Sequence, residues 1–193
     1  MDRRTLLASL GAAGVAGTAG CGALGGNRTL SDPTVDRDSP SRAALLFSDG
    51  DTEVGTLGVG GSVGTDAIRL DTNIWHRDDT RVESIRLHVW TEPDDEPADV
   101  ALVSPVTGDS SPPPSVSLGL PDRGYGTVIE IDDLDDLADE TISTIDLLVA
   151  PRSESFEGTV IDAEIELSGT AWNGDDYTLR GRLDLSFPEF GAE

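Results

Sequence analysis

The chain has 193 residues and a formal net charge of −24, with an isoelectric point near 4.1. All 13 basic residues are arginine, Asp outnumbers Glu about two to one, and there is one cysteine and one methionine. These numbers exclude an intrachain disulfide and argue against a nucleic-acid partner, because there is no basic patch to meet phosphate.

Residues 1–20 read as an export signal. Arg3-Arg4 precedes a Gly/Ala-rich apolar run from Leu6 to Ala19, and Thr18-Ala19-Gly20-Cys21 closes it. The run is too short to cross a bilayer, which takes about 20 apolar residues. Its weak hydrophobicity behind paired arginines points to the twin-arginine route. The segment resembles the twin-arginine lipoprotein signals of halophilic archaea. That resemblance implies cleavage before Cys21, a lipid on Cys21 and residence on the outer face of the cell membrane. It departs from the usual pattern at Thr18, where such signals place Leu or another large apolar residue.

The charge fits the same setting. Hyperthermophile surfaces favour Lys and Glu; a lysine-free coat dominated by Asp reads instead as an adaptation to molar salt. In dilute buffer such a coat opposes compactness by self-repulsion. At about 1 M salt the screening length is near 3 Å and the repulsion fades. Long-range steering fades with it, so the acidity says little about a partner.

Residues 21–42 read as the lipidated cysteine and a flexible tether, punctuated by Gly22, Gly25, Gly26, Asp32-Pro33 and Ser39-Pro40-Ser41. About 20 flexible residues reach roughly 25 Å. Residues 43–190 read as an all-β domain, an immunoglobulin-like antiparallel β-sandwich of about eight or nine strands. The glycine-broken stretch 53–60 is expected to be a weak or edge strand. Ile68, Leu70, Thr72 and Ile74 alternate with polar residues, and so do Ile85, Leu87 and Val89. A hairpin about Asp79-Thr80 would set Asp71 opposite His88 and Arg69 opposite Trp90. Shorter strands are expected at 99–103, 115–120, 128–131 and 145–149. The leucine spacing in 131–140 suggests a short helical connector.

Two long strands close the chain, at about 158–171 and 177–187. A two-residue Asn173-Gly174 turn would put their apolar residues on opposite faces, which a half-buried sheet forbids. The loop therefore has odd length, three or five residues around Asn173-Gly174-Asp175. A three-residue loop would face Glu166 with Arg182.

No constellation for chemistry stands out. The two histidines, His76 and His88, have no G-x-S-x-G elbow near them, and they match no usual zinc spacing. Blue copper requires a Cys ligand within the fold, whereas Cys21 precedes it. The cluster Asp132, Asp133, Asp135, Asp136, Asp139, Glu140 and the smaller set from Asp49 to Glu53 offer oxygens for calcium, but without EF-hand spacing. Trp75, Trp90 and Trp172 are outward aromatics that can stack on sugars or anchor a partner, or equally be core against a second sheet, which is the commoner role. The resulting expectation is a lipid-anchored cell-surface β-sandwich, a structural or binding module with no catalytic site, no cofactor and no metal site. Its partners would be the membrane, through Cys21, and an envelope protein. Two alternatives stand beside it. One is an accessory subunit or assembly factor of an envelope transporter or oxidase. The other is a small extracellular hydrolase using His88.

Overall fold

The computed structural model describes residues 26–92, 98–104, 115–122, 124–132, 134, 142–152, 156–170 and 174–190. Their regular structure is entirely strand: β1 (Asn27–Leu30), β2 (Thr34–Ser39), β3 (Arg42–Asp49), β4 (Thr52–Val63), β5 (Ile68–His76), β6 (Thr80–Glu92), β7 (Asp99–Ser104), β8 (Ser115–Gly119), β9 (Thr127–Asp132), β10 (Ile142–Ala150), β11 (Gly158–Gly169) and β12 (Asp176–Ser186). They form two six-stranded sheets, ordered β1-β12-β11-β6-β9-β8 and β2-β3-β4-β5-β10-β7. The expected immunoglobulin-like sandwich is therefore present, with twelve described strands rather than eight or nine.

Period-2 alternation builds the core. Leu45 and Phe47 of β3, Ile68, Leu70 and Ile74 of β5, and Ile145 and Leu147 of β10 point inward from one sheet. Ile85 and Leu87, Ile129 and Ile131, Ile161 and Ile165, and Leu179 and Leu183 meet them from the other. Each such side chain, fully buried, contributes about 1.5–3 kcal/mol. Leu134 also packs into this core. The rest of the proposed helical connector, apart from Ile131 and Asp132 at the end of β9, lies outside the described residues.

Three expectations are corrected. First, residues 27–39 belong to the sheets and not to a flexible tether. β1 runs parallel to β12, with Asn27 beside Asp176 and Leu30 beside Leu179. β2 then pairs with β3 in the other sheet. Both are edge strands with almost wholly exposed side chains, so they leave no apolar period to read. Backbone pairing and polar clasps hold them. Arg28 bonds Asp49 and lies 3.5 Å from Asp175, and the Thr178 hydroxyl donates to Asn27 Oδ1 at 3.2 Å.

Second, the glycine-broken stretch is a 12-residue strand inside its sheet, between β3 and β5. Its glycines admit side chains from the opposite sheet. A Cβ on Gly61 would stand 2.3 Å from the Phe187 ring, and one on Gly55 would stand 2.8 Å from Leu179 Cδ1. Glycine in a strand marks such close approaches.

Third, β5 and β6 do not pair. The chain turns a corner at Arg77–Asp79 and enters the other sheet. A hairpin and a corner both send the apolar faces of two strands inward, so alternation alone does not separate them. β5 pairs with β4 and β10, and β6 pairs with β11 and β9.

The closing hairpin has the expected parity and a different centre. Odd positions face odd positions, with Ile165 opposite Leu179 and Leu167 opposite Tyr177. Glu166 faces Thr178, while Glu164 faces Arg180 and Asp162 faces Arg182. Moving the centre by two residues shifts each partner by four, an even number that keeps every side chain on its face.

Candidate functional site

The outer face of the first sheet carries a ladder of charged side chains across four strands. Across β12, β11, β6 and β9, one register row reads Arg180, Glu164, Arg86, Glu130. Arg180 Nε lies 2.6 Å from Glu164 Oε2, and Arg86 Nε lies 3.1 Å from Glu130 Oε1. These pairs are half exposed, and each such pair typically adds about 0–1 kcal/mol. The alternation of sign matters more: it fixes which strand positions sit opposite each other.

The next row reads Arg182, Asp162, His88. His88 Nε2 donates to the Tyr125 carbonyl at 2.7 Å, and its ring lies 4.6 Å from that of Trp90. The Arg182 guanidinium sits 4.9 Å from the Trp90 centroid. The expected carboxylate–imidazole and cation–π neighbours therefore exist with other members: Asp162 and Arg182 take the places assigned to Asp71 and Arg69. Arg69 instead bonds Asp71 at 3.1 Å and Asp146 at 2.6 Å.

Trp90 points to the outer face but is only 8% exposed. Arg182 and His88 cover it, and the segment before β9 closes over it. Gly126 has φ +101, and a Cβ there would stand 2.7 Å from Trp90 Cβ and 2.3 Å from the Val89 carbonyl. The indole is thus a packing element, the commoner of its two expected roles, and not an open aromatic platform. Trp75 is half-buried on β5, and Trp172 lies outside the described residues.

Exposed large apolar side chains lie elsewhere, Val35, Val63, Val103 and Leu148 singly on other strands and three more near β8. Leu118 on edge strand β8 is 53% exposed, Leu120 just beyond it 88%, and Tyr125 54%. All three fall between β8 and the start of β9. Among the described residues, shallow open clefts accompany the sheets, and two of them bear on the outer face and on one end. One, of about 340 Å³, lies over Ser31, Asp162, Glu164, Arg180 and Arg182. The other, of about 200 Å³, lies at one end of the sandwich over Pro40, Ser41, Val63, Phe187 and Pro188.

His76 is buried. Its Nδ1 is 3.1 Å from both the Thr80 hydroxyl and the Arg77 carbonyl, and the Thr80 hydroxyl donates to that same carbonyl at 2.8 Å. This network braces the β5–β6 corner. Beside it, the Arg77 guanidinium lies 5.8 Å from the Tyr177 ring centroid, and the Tyr177 hydroxyl is 3.4 Å from Asp49 Oδ2. Burial pushes the Tyr177 phenol above its ordinary pKa.

Arg3, Arg4 and Cys21 lie outside the described residues, as do Asp133, Asp135, Asp136, Asp139 and Glu140 of the acidic cluster. Among the described residues, no three His, Cys, Asp or Glu side chains converge as a metal site, and no helix is long and apolar enough to cross a membrane. In the smaller acidic set, Asp49 is engaged by Arg28.

Residues 27–189 match the family model described as a domain of unknown function (DUF8121). The chain belongs to this family. No curated protein matches it. Among solved structures, the DUF8121 chain is similar to the collagen-binding domain of a Staphylococcus aureus adhesin. Identity there is 12% and the TM-score 0.34, covering 65% of this chain and 95% of that one. It is also similar to the GAE domain of GGA2p from Saccharomyces cerevisiae, with 9% identity, a TM-score of 0.32, and coverage of 81% and 97%. A third is the type I cohesin–dockerin complex from Clostridium thermocellum, with 11% identity, a TM-score of 0.32, and coverage of 83% and 90%.

The strip Leu118, Leu120, Tyr125 was not singled out in the sequence. Leu118 and Leu120 look like core residues of a strand there. Only the position of β8 at the sheet edge exposes them.

Proposed function

We propose that this DUF8121 protein is a binding module held on the outer face of a halophilic archaeal cell membrane by a lipid on Cys21. The N-terminal segment carries this reading: Arg3-Arg4, a weak apolar run, and small residues before Cys21. The first strand begins at Asn27, six positions after that cysteine. A cleaved, lipidated chain would therefore pass almost directly into the fold. Partner binding would fall to the edge strand β8 and the exposed side chains Leu118, Leu120 and Tyr125 on and after it, since edge strands and exposed apolar groups are ready contact surfaces. The non-catalytic reading is supported by the engagement of both histidines, His76 with the Thr80 hydroxyl and the Arg77 carbonyl, and His88 with the Tyr125 carbonyl. Replacing Cys21 by Ser should release the protein from membranes into the medium. Retention on the membrane would refute the anchor.

The same apolar strip favours a second reading, as a subunit or assembly factor of an envelope complex such as a transporter or oxidase. A pull-down from envelopes kept in molar salt separates the two. Stoichiometric capture of an integral membrane complex, abolished by Leu120→Asp, supports the second reading.

A further inference from the structure

We infer that one end of the sandwich is held against the membrane surface, and that the opposite end, with the Phe187 cleft, is the one the cell presents outward. This rests on the Cys21 anchor. The strand register defines the two ends. Asn27 pairs with Asp176, Gly169 with Thr80, and Gly55 with His76, while Arg28 bonds Asp49. The entry of the chain, the Gly50–Asp51 turn, the Arg77–Asp79 corner and the β11–β12 hairpin therefore share one end. The Pro40–Ser41 turn, the Gly64–Ala67 turn and Phe187–Pro188 share the other. Backbone bonds from Ser186 to Pro40 and from Gly61 to Ser41, both 2.8–2.9 Å, join its parts.

Lengths then decide the orientation. From Cys21 to Asn27 there are six Cα steps, which reach at most about 20 Å when fully extended and about 13 Å on average for a glycine-rich chain. The 12 residues of β4 alone span about 40 Å at about 3.3 Å per residue. The leash is shorter than the long dimension of the domain. It cannot slacken at its far end either, because Asn27 and Arg28 are fixed to Thr178, Asp49 and Asp175. The near end suits this position. Asp49 and Asp175 are engaged by Arg28, and Asp79 by Arg77, and at about 1 M salt the remaining charge is screened within about 3 Å. Lying on its side would press the charged outer face of a sheet against the headgroups and cost hydration of Glu164, Arg86 and Glu130.

Two single substitutions test this in whole cells. Asp51→Cys marks the near end and Asp66→Cys the far end; both positions are exposed. A small impermeant maleimide should label both at similar rates. A polymer-linked maleimide should label Asp51→Cys severalfold more slowly than Asp66→Cys. Inserting about 20 Gly/Ser residues after Gly22, which extends the mean reach to nearly 30 Å, should bring the two rates together. On chains released by Cys21→Ser, the two positions should already label alike. Equal polymer labelling on the original leash, with the Cys21→Ser chain released, overturns the orientation and leaves the anchor standing. A Cys21→Ser chain that stays on the cell overturns the anchor, and the orientation falls with it.

Discussion

Thr72 offers the sharpest test of how this core is assembled. It sits inward on β5, fully buried, between Val59 of β4 and Ile145 of β10 in register. Its hydroxyl has no hydrogen-bond partner. A buried hydroxyl without a partner costs about 1–3 kcal/mol. Valine has the same branched shape, suits a strand, and replaces the oxygen with a methyl group worth roughly 0.8 kcal/mol when buried. Thr72→Val should therefore stabilise the domain by about 1–3 kcal/mol, raising Tm by about 2–4 °C per kcal/mol for a domain of this size. The assay is urea unfolding at fixed molar KCl, followed by tryptophan fluorescence, where a higher midpoint at unchanged slope reads as stability. Thr178→Val provides the opposite sign. That hydroxyl donates to Asn27, so its loss should cost about 0.5–1.5 kcal/mol. An unchanged or lower midpoint for Thr72→Val would mean that the hydroxyl is satisfied in solution, and the reasoning would fail.

Three further outcomes are expected. The domain from Cys21 onward should lose its β-sheet circular dichroism in dilute buffer and recover it in molar KCl; full stability without salt would refute the reading of the acidic coat. Gly61→Ala should push into the Phe187 ring and cost about 1–3 kcal/mol by overpacking, measured by the same urea midpoint. Because burial raises the Tyr177 pKa above its value in the unfolded chain, the folded state holds that proton more tightly. Its contribution is fully present below about pH 10, the ordinary phenol value, and is lost as pH climbs through the raised one. Tyr177→Phe should flatten that alkaline fall in a stability–pH series.

What could be read in the sequence follows from what leaves a periodic trace. Strands with one buried face are legible: Ile68, Leu70, Thr72 and Ile74 are buried as their alternation predicts, and so are Ile161, Ala163, Ile165 and Leu167. Strands held by backbone pairing at an edge are not. β1 and β2 expose nearly every side chain, and so they pass for tether. β4 hides for the opposite reason, because its glycines accommodate Leu179 and Phe187 from the other sheet and remove the apolar beats. A bulge hides Val82 from the alternation of β6. β6 pairs Ser84 with Glu166 but Val82 with Leu167, so the extra residue re-phases the strand and turns an even position inward beside odd ones.

The site-level errors share one cause. Inward or outward placement is a property of a single strand, whereas a partner is a property of two. Parity fixed the faces of the β11–β12 hairpin but allowed its centre to move, exchanging Glu166–Arg182 for Glu164–Arg180. The β5–β6 corner kept Trp90 and His88 on an outer face while replacing both of their expected neighbours. The same distinction bears on function. Whether Leu118 is core or contact surface depends on which strand lies beyond β8, and no described strand does. Likewise, the length of chain between Cys21 and the first strand depends on whether residues 27–39 pair with other strands. Their pairing leaves only a few residues between Cys21 and the fold, and a lipid on Cys21 would then have one end of the sandwich nearest to it.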